Sequence, residues 1–414
     1  MKSLRLAVVL LLVGLAASCS DAKPPIRVGA VYPLSGSQGP GGIEEYHGVQ
    51  VAADLVNADG GVHGRPLRLD PVDTPGADAA PGAIGTLIGR GERLIVGSYG
   101  SSISSPAAVE AVGRGGLFWE TGAVGKMAGV GAGDRVFRVA PTGGILGQAA
   151  MAFIADQVAP RLHRTPASLR FAIAEVDDLY GEAVAQGARA ELARRGLHPV
   201  ADVAYDPHRY NARQVVARIA AARPDILFVV AYLDDGVALR REQVRQRLPL
   251  LASIGTSSSY CMPAFGAELG RQAVGLFASD KPDTHGINPK GLAPAARALL
   301  DRADRAYRQR FRESMSAPAL AGFSGAWALF HDVLPLARST SPADVAAAAL
   351  RVRVPSGGLP NGSGLEFGPP GGPDAGANLR AASVIWSWTA LDRREVVWPP
   401  QFAMAPVRVL PIAA

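Results

Sequence analysis

The sequence predicts an α/β fold with parallel sheets. Three observations carry that expectation. Short apolar runs such as Leu94 to Val96 and Leu117 to Trp119 read as strands buried on both faces. Helical segments alternate with these runs across short turns in five or more strand–helix units, which implies parallel strands and right-handed crossovers. The chain has 414 residues, enough for two or three domains, and its 48% hydrophobic content can build large cores.

Ile26 to Tyr32 is the first expected strand. Pro33-Leu34-Ser35-Gly36 turns the chain, and Gly39 to Gly42 leads into a helix. Ile43, Tyr46, Val49, Ala53 and Val56 recur there at helical spacing. Asp59-Gly60-Gly61 stops that helix, and Leu67 to Val72 is the second strand. Ala79 to Ile88 is helical. The strand at Leu94 ends in Gly97-Ser98-Tyr99-Gly100-Ser101-Ser102. Ser104-Ser105-Pro106 is then expected to open a helix, with Ser as cap and Pro in the first turn. The strand at Leu117 ends in Glu120-Thr121-Gly122-Ala123.

Two neighbouring parallel strands thus end in loops of small and hydroxyl residues. Open α/β sheets bind ligands outside the carboxyl ends of their strands. Free backbone N–H groups at a following helix start favour an anion there. A small carboxylate ligand held by Ser101, Ser102 and Thr121 is the physical expectation.

Farther on, strands are expected at Arg135 to Pro141, Leu169 to Glu175, Val200 to Tyr205, Ile226 to Ala231, Leu250 to Ile254, Val274 to Ser279 and Ala381 to Leu391. Helices are expected at Gly144 to Val158, Glu182 to Arg195, Asn211 to Ala222, Leu292 to Arg312, Ala319 to Leu336 and Pro342 to Leu350. Pro355 to Asn378, rich in Gly and Pro, reads as a loop.

The N-terminus reads as a leader. Lys2 and Arg5 form a basic region, and the apolar stretch Leu6 to Ala17 is too short to span a bilayer. Ala16-Ala17-Ser18 precedes Cys19, as in a lipoprotein signal, although Leu15 stands one position early. The leader holds two bases and no acid, so +4 remains of the formal +6. No Lys/Arg block with interleaved aromatics appears, which argues against nucleic acid. If Cys19 carries lipid, Cys261 has no disulfide partner and reads as a small buried residue.

Other motifs fail on spacing. Gly122 to Met127 echoes a phosphate loop but has Met where Ser or Thr would bind magnesium. Gly129, Gly131 and Gly133 lack the dinucleotide spacing, and the seven His residues form no metal pair at motif spacing. No Gly-x-Ser-x-Gly elbow supports a nucleophile, so an enzyme is not expected.

The runs VYPLSG, NADGGVHGRPLRL and VDT, then IVGSYGSS and FWETGA, resemble the periplasmic binding proteins for branched-chain amino acids, the solute receptors of ATP-driven importers. Val396-Val397-Trp398-Pro399-Pro400 resembles a closing motif of one branch. The resemblance covers about Ile26 to Ala405. It implies two Rossmann-like doubly wound lobes joined by three hinge crossovers, the type I periplasmic binding protein fold. The division would be a signal peptide at 1–18, a tether at 19–25, one lobe of 26–141 and 279–378, and a second of 142–278 and 379–414.

The resemblance also implies a site. First-lobe contacts would be Tyr99, Gly100, Ser101 and Ser102 from one loop, and Thr121, Gly122 and Ala123 from the next. Ala123 stands where the family has Thr. Tyr180 and Tyr232 would come from the second lobe. Ser257 stands where amino-acid-binding members place an acid against the ligand's ammonium. Leaving a buried ammonium unpaired is costly. Either the ligand lacks an α-amino group, which the balance favours, or another acid substitutes. Glu120, within its loop, is the foremost candidate; Asp234 and Asp235 read more simply as a helix-start pair. The implied partners are an ABC permease, its ATPase subunits and the membrane, the last through lipid on Cys19. The implied place is the periplasm or the outer face of the cell membrane. No cofactor is implied, and a ligand-sensing role would use the same fold.

Overall fold

The computed structural model describes residues 23–125, 134–284, 286–372 and 374–413. The leader, Cys19, and the motif positions Lys126, Met127, Gly129, Gly131 and Gly133 lie outside them.

Among the described residues the strands form two sheets. The first alternates β1 (Ile26–Tyr32), α1 (Gly39–Ala58), β2 (Leu67–Asp73), α2 (Ala80–Gly89), β3 (Leu94–Gly97), α3 (Ser101–Gly113), β4 (Leu117–Glu120) and β5 (Val136–Arg138). Its order is β2-β1-β3-β4-β5, parallel throughout. The chain continues through α4 (Gly143–Phe153), a short turn α5 (Ala159–Arg161), β6 (Phe171–Val176), α6 (Leu179–Arg194), β7 (Ala201–Tyr205), α7 (Ala212–Ala221), β8 (Ile226–Val230), α8 (Leu233–Arg245), β9 (Ala252–Thr256), α9 (Pro263–Leu269) and β10 (Phe277–Asp280). Then come α10 (Pro294–Phe311), α11 (Ala317–Trp327), α12 (Pro342–Ala349) and the antiparallel pair β11 (Val384–Ala390) and β12 (Arg393–Trp398).

The second sheet runs β12-β11-β10-β9-β8-β6-β7. Its parallel part, β7-β6-β8-β9-β10, repeats the order of the first sheet. Each lobe therefore has a strand-order reversal, between β1 and β3 and between β6 and β8. A crevice opens at the carboxyl ends beside such a reversal. The inner parallel strands are buried almost throughout, as strands covered on both faces must be, while the edge strands β2 and β7 are largely exposed or half-buried.

Among the described residues the chain passes between the lobes three times. It leaves the first sheet after β5. It returns after β10, where α10 and α11 pack on α1. It leaves again near Asn378. The first and third passages are bonded to each other: Arg138 N–H donates to the Gly376 carbonyl and Asn378 N–H to the Arg138 carbonyl, at 2.8 and 3.0 Å. β10 stays in the second sheet through Asp280, two residues past the expected division at 278/279.

Some expected boundaries move. Helix α3 starts at Ser101, not at Ser104, and Pro106 lies inside it. Gly100 is already extended, so the helix begins one residue later, and Pro106 forgoes one bond to the preceding turn. The expected strand from Leu250 begins at Ala252, because Leu250 and Leu251 are apolar without entering the ladder. Val396 to Trp398, read only as part of a closing motif, belong to a strand of Arg393–Trp398 paired with β11.

Candidate functional site

The loops after β3, β4, β6, β8, β9 and β10 converge on a cavity of about 290 Å³. The first lobe contributes Tyr99, Gly100, Ser101, Gly122 and Val124, with Glu44 of α1 and Ser316, Ala317 and Pro318 at the start of α11. The second contributes Tyr180, Tyr232, Ser257, Ser258, the 261–264 stretch, Asp280, Lys281 and Arg394.

Helix α3 presents its first turn to this space. Its first N–H groups have no acceptor within the helix. The Ser101 hydroxyl accepts from Gly125 N–H at 2.8 Å. The neighbouring loop is tied down from below by Glu120. Its Oε1 accepts from Gly122 N–H at 2.8 Å and Ala123 N–H at 2.7 Å, and its Oε2 from Ser98 N–H at 3.2 Å. Burial pushes this carboxyl up to about 7 against those bonds. Glu120 is fully buried and off the cavity wall, so it is not placed to pair with a ligand ammonium. Its oxygens already serve three backbone donors.

Thr121, Ser102 and Ala123 also stand back from the wall. The Thr121 hydroxyl donates to Glu45 Oε1 at 2.7 Å and lies 2.6 Å from the Tyr32 hydroxyl. Burial pushes Glu45 up to about 8, with Lys281 opposing. The Ser102 hydroxyl accepts from Gln38 Nε2 at 3.3 Å. Ala123 N–H also donates to the Ser98 carbonyl at 3.1 Å. Gly122 does reach the wall, and it must be small: a Cβ there would sit 1.8 Å from Glu45 Oε2.

In the second lobe Asp178 organises the aromatic pair. It caps α6, with Oδ1 accepting from Tyr180 and Gly181 N–H at 2.9 Å each, and its Oδ2 accepts the Tyr232 hydroxyl at 2.6 Å. The two rings pack at 5.3 Å between centroids. The Tyr180 hydroxyl reaches Thr256 Oγ1 at 2.6 Å. Tyr99 projects from the first lobe toward Ser258 of the second, and burial raises the pKa of both Tyr99 and Tyr180. Asp234 and Asp235 fall in the first turn of α8, where the dipole favours them, and Asp235 Oδ2 accepts the Tyr205 hydroxyl at 2.6 Å.

The charged part of the wall was not singled out in the sequence. The Lys281 ammonium donates to the Gly122 carbonyl at 2.9 Å. Arg394 donates to Asp283 Oδ2 at 2.6 Å and lies over the Trp386 ring at 4.4 Å, with Nη1 unpaired among the described residues. Glu44 Oε2 accepts the Ser316 hydroxyl at 2.6 Å. Asp280 is 2% exposed, and its Oδ1 has no hydrogen-bond partner among the described residues. The one available signal was position: Asp280-Lys281 follows directly on the expected strand Val274 to Ser279, where the expected division between lobes falls. Cys261 is buried beside Asp280, as a small core residue at the cavity wall. Among the described residues no group of three or more His, Cys, Asp or Glu could hold a metal ion.

This architecture has known counterparts. The Leu/Ile/Val-binding protein homolog 8 of Brucella suis biovar 1 is 26% identical over 387 residues, covering 92% of this chain and 93% of the relative. A branched-chain amino acid transporter substrate binding protein from Streptococcus pneumoniae, solved with isoleucine, superposes with a TM-score of 0.70 at 16% identity, covering 91% of this chain and all of the other. A leucine binding protein from Thermotoga maritima gives 0.73 at 14% identity, over 90% and 97%. At such identities these structures speak for the fold. The sequence pattern of the periplasmic binding protein family matches residues 25–373, and the chain is a member of that family.

Proposed function

We propose that the chain is the extracytoplasmic solute receptor of an ABC importer and holds a small carboxylate or amino-acid-like molecule between its lobes. One observation carries this reading above the others. The open first turn of α3 faces the Tyr180–Tyr232 pair across a closed-in cavity. The helix start receives the carboxylate. Ser101 and Gly122 flank it. The tyrosines, with Tyr99, Val124 and Met262, cover the rest of the ligand and exclude water. Ser257 and Ser258 add hydroxyls from the second lobe.

Capture then couples to transport by hinge closure. Ligand docks on the loops after β3 and β4, and the second lobe closes on it about the three passages. The closed form is the one an ABC permease with its ATPase subunits engages. The lipoprotein-like leader supports lipid on Cys19, which holds the receptor at the membrane surface. Stable anchoring requires more than one acyl chain or a second membrane contact. The 25–26% identity to Leu/Ile/Val-binding homologues supports amino acids as the ligands to test first.

The test is equilibrium binding by calorimetry on the purified full chain. Branched-chain and aromatic amino acids, their amine-free acids and small amides form the panel. Saturable binding at one site per chain, lost in Ser101→Ala with Tyr180→Ala, is expected. Binding that ignores both substitutions would remove the cavity from the account.

A further inference from the structure

We propose that a second cleft, beside the hinge where Arg138 meets the first turn of α4, binds a small oxyanion of phosphate or carboxylate chemistry, and that this anion holds the hinge elements together. The proposal goes beyond the receptor reading and does not depend on what the inter-lobe cavity takes.

The cleft measures about 460 Å³. Its walls come from both sides of the hinge. Val136 and Arg138 of β5, with the 374–377 stretch of the third passage, lie opposite Gln148 of α4 and Gln186 of α6. Among the described residues Val124 is the one residue shared with the wall of the inter-lobe cavity.

Arg138 supplies the charge. It is 7% exposed. Its Nη1 donates to the Val124 carbonyl at 3.4 Å and its Nη2 to the Gly125 carbonyl. Its Nε is buried with no hydrogen-bond partner among the described residues. Glu120 stands opposite it in the β4–β5 ladder, but the Glu120 oxygens serve three backbone N–H groups. A buried cation bonded only to carbonyls is costly, and an anion in the adjoining cleft offsets that cost. Burial lowers the Arg138 pKa, with Glu120 opposing.

Helix α4 supplies the second donor. Gly143 N–H is bonded to the Val124 carbonyl at 2.6 Å, Ile145 N–H to Thr142 Oγ1 at 3.3 Å and Leu146 N–H to the Thr142 carbonyl at 3.2 Å. Gly144 N–H is left without an acceptor among the described residues, as first-turn groups are unless something outside the helix meets them. Gly144 lines the cleft, and a Cβ there would touch nothing nearer than Thr142 Oγ1 at 3.6 Å, so the space over it is open. A guanidinium and a helix start on one wall suit an oxyanion. Asp374, the one acid of this wall among the described residues, is exposed, where water and salt screen it. An anion bound here favours the arrangement in which β5, α4 and α6 stand together. By linkage, anion binding and lobe closure then strengthen each other.

The experiment titrates the full chain by calorimetry and thermal shift with inorganic phosphate, with acetate and with chloride, at constant ionic strength. Saturable binding of phosphate or acetate with a raised melting temperature is expected, and the tighter of the two separates a phosphate source from an organic acid. Gln148→Glu adds an exposed carboxylate to the cleft and is expected to weaken that binding about tenfold or more, with the unliganded melting temperature unchanged. Arg138→Gln is expected to abolish it; if that variant does not fold, Gln148→Glu decides. Ser257→Glu puts the same charge in the inter-lobe cavity and is expected to leave the binding intact. Binding lost in Ser257→Glu and kept in Gln148→Glu would place the anion between the lobes and overturn the inference. An absence of saturable binding, or an equal response to chloride, would also overturn it and leave Arg138 as a brace for two carbonyls. Neither result touches the receptor reading, which amino acids and organic acids test at the other cavity.

Discussion

The ammonium of Lys281 donates to the carbonyl of Gly122 across 2.9 Å. The donor sits just past β10, at the start of the second passage, and the acceptor belongs to the loop after β4 of the first lobe. The bond thus ties a hinge passage to one of the two loops assigned to the ligand. Lys281→Met keeps the stem and removes the donor, leaving a buried carbonyl unpaired. We expect a loss of about 1–3 kcal/mol in stability. Urea unfolding of the two proteins measures it, and equal midpoints would show the bond to be idle.

The loop after β4 separates scaffold from contact. Thr121→Val strips the hydroxyl that links Glu45 and Tyr32, and about 1–3 kcal/mol of stability should go with it. Ligand affinity should change little, because Thr121 stands off the cavity wall. Ser101→Ala should lower affinity as well as stability, since the Gly125 N–H also loses its acceptor. Hydrogen bonds to a charged partner contribute about 1.5–3 kcal/mol, so ligand should bind about tenfold weaker or worse. Melting curves and binding isotherms on both variants give the contrast. The opposite pattern would return Thr121 to the ligand.

Glu120→Gln tests the loop's anchor. An amide offers one oxygen where the carboxylate serves three N–H donors, and its own N–H group meets one of them head-on. Unliganded stability should fall by about 1–3 kcal/mol. Affinity should weaken only as far as the loop loosens. If Glu120→Gln removed binding of amines alone and left stability unchanged, Glu120 would be the ammonium partner after all.

Stability should fall as pH rises from about 4.5 to about 8. Glu45 and Glu120 are fully buried, and burial lifts them to about 8 and about 7. Both ionise at lower pH once unfolded. Between the two values the folded state holds the extra protons, so their contribution is complete below 4.5 and is lost as pH climbs through the folded values. Each pH unit crossed by one such group is worth about 1.4 kcal/mol at most. Acids held low by arginines, such as Asp156 beside Arg195, act below this window. Glu45→Gln should flatten the slope of melting temperature between pH 5 and 8. An unchanged slope would mean that Glu45 is ionised in the folded protein.

Much of the architecture was legible because it is local. Alternating apolar runs and helical periods gave the strands and helices, and the glycine and serine loops marked the carboxyl ends where the cavity lies. Tyr99, Ser101, Tyr180 and Tyr232 do meet at the wall. What sequence could not display was direction. Glu120 and Thr121 sit in a loop that borders the cavity but point beneath it, toward backbone N–H groups and Glu45. The α3 start was misplaced because Pro106 is tolerated inside the helix. Asp280, Lys281 and Arg394 were missed because a strand register and an unrecognised hairpin bring them together, and neither leaves a spacing in the chain.

The most direct test of ligand capture between two lobes is a thermal-shift titration with one substitution from each side. The full chain, Ser101→Ala and Tyr180→Ala are each titrated with the tightest ligand of the panel. Ligand at a hundredfold excess over its dissociation constant adds about 2.7 kcal/mol to the folded state. The account predicts a clear upward shift for the unaltered protein and a much smaller shift for both variants. A full shift in both variants would contradict it and move the ligand out of this cavity.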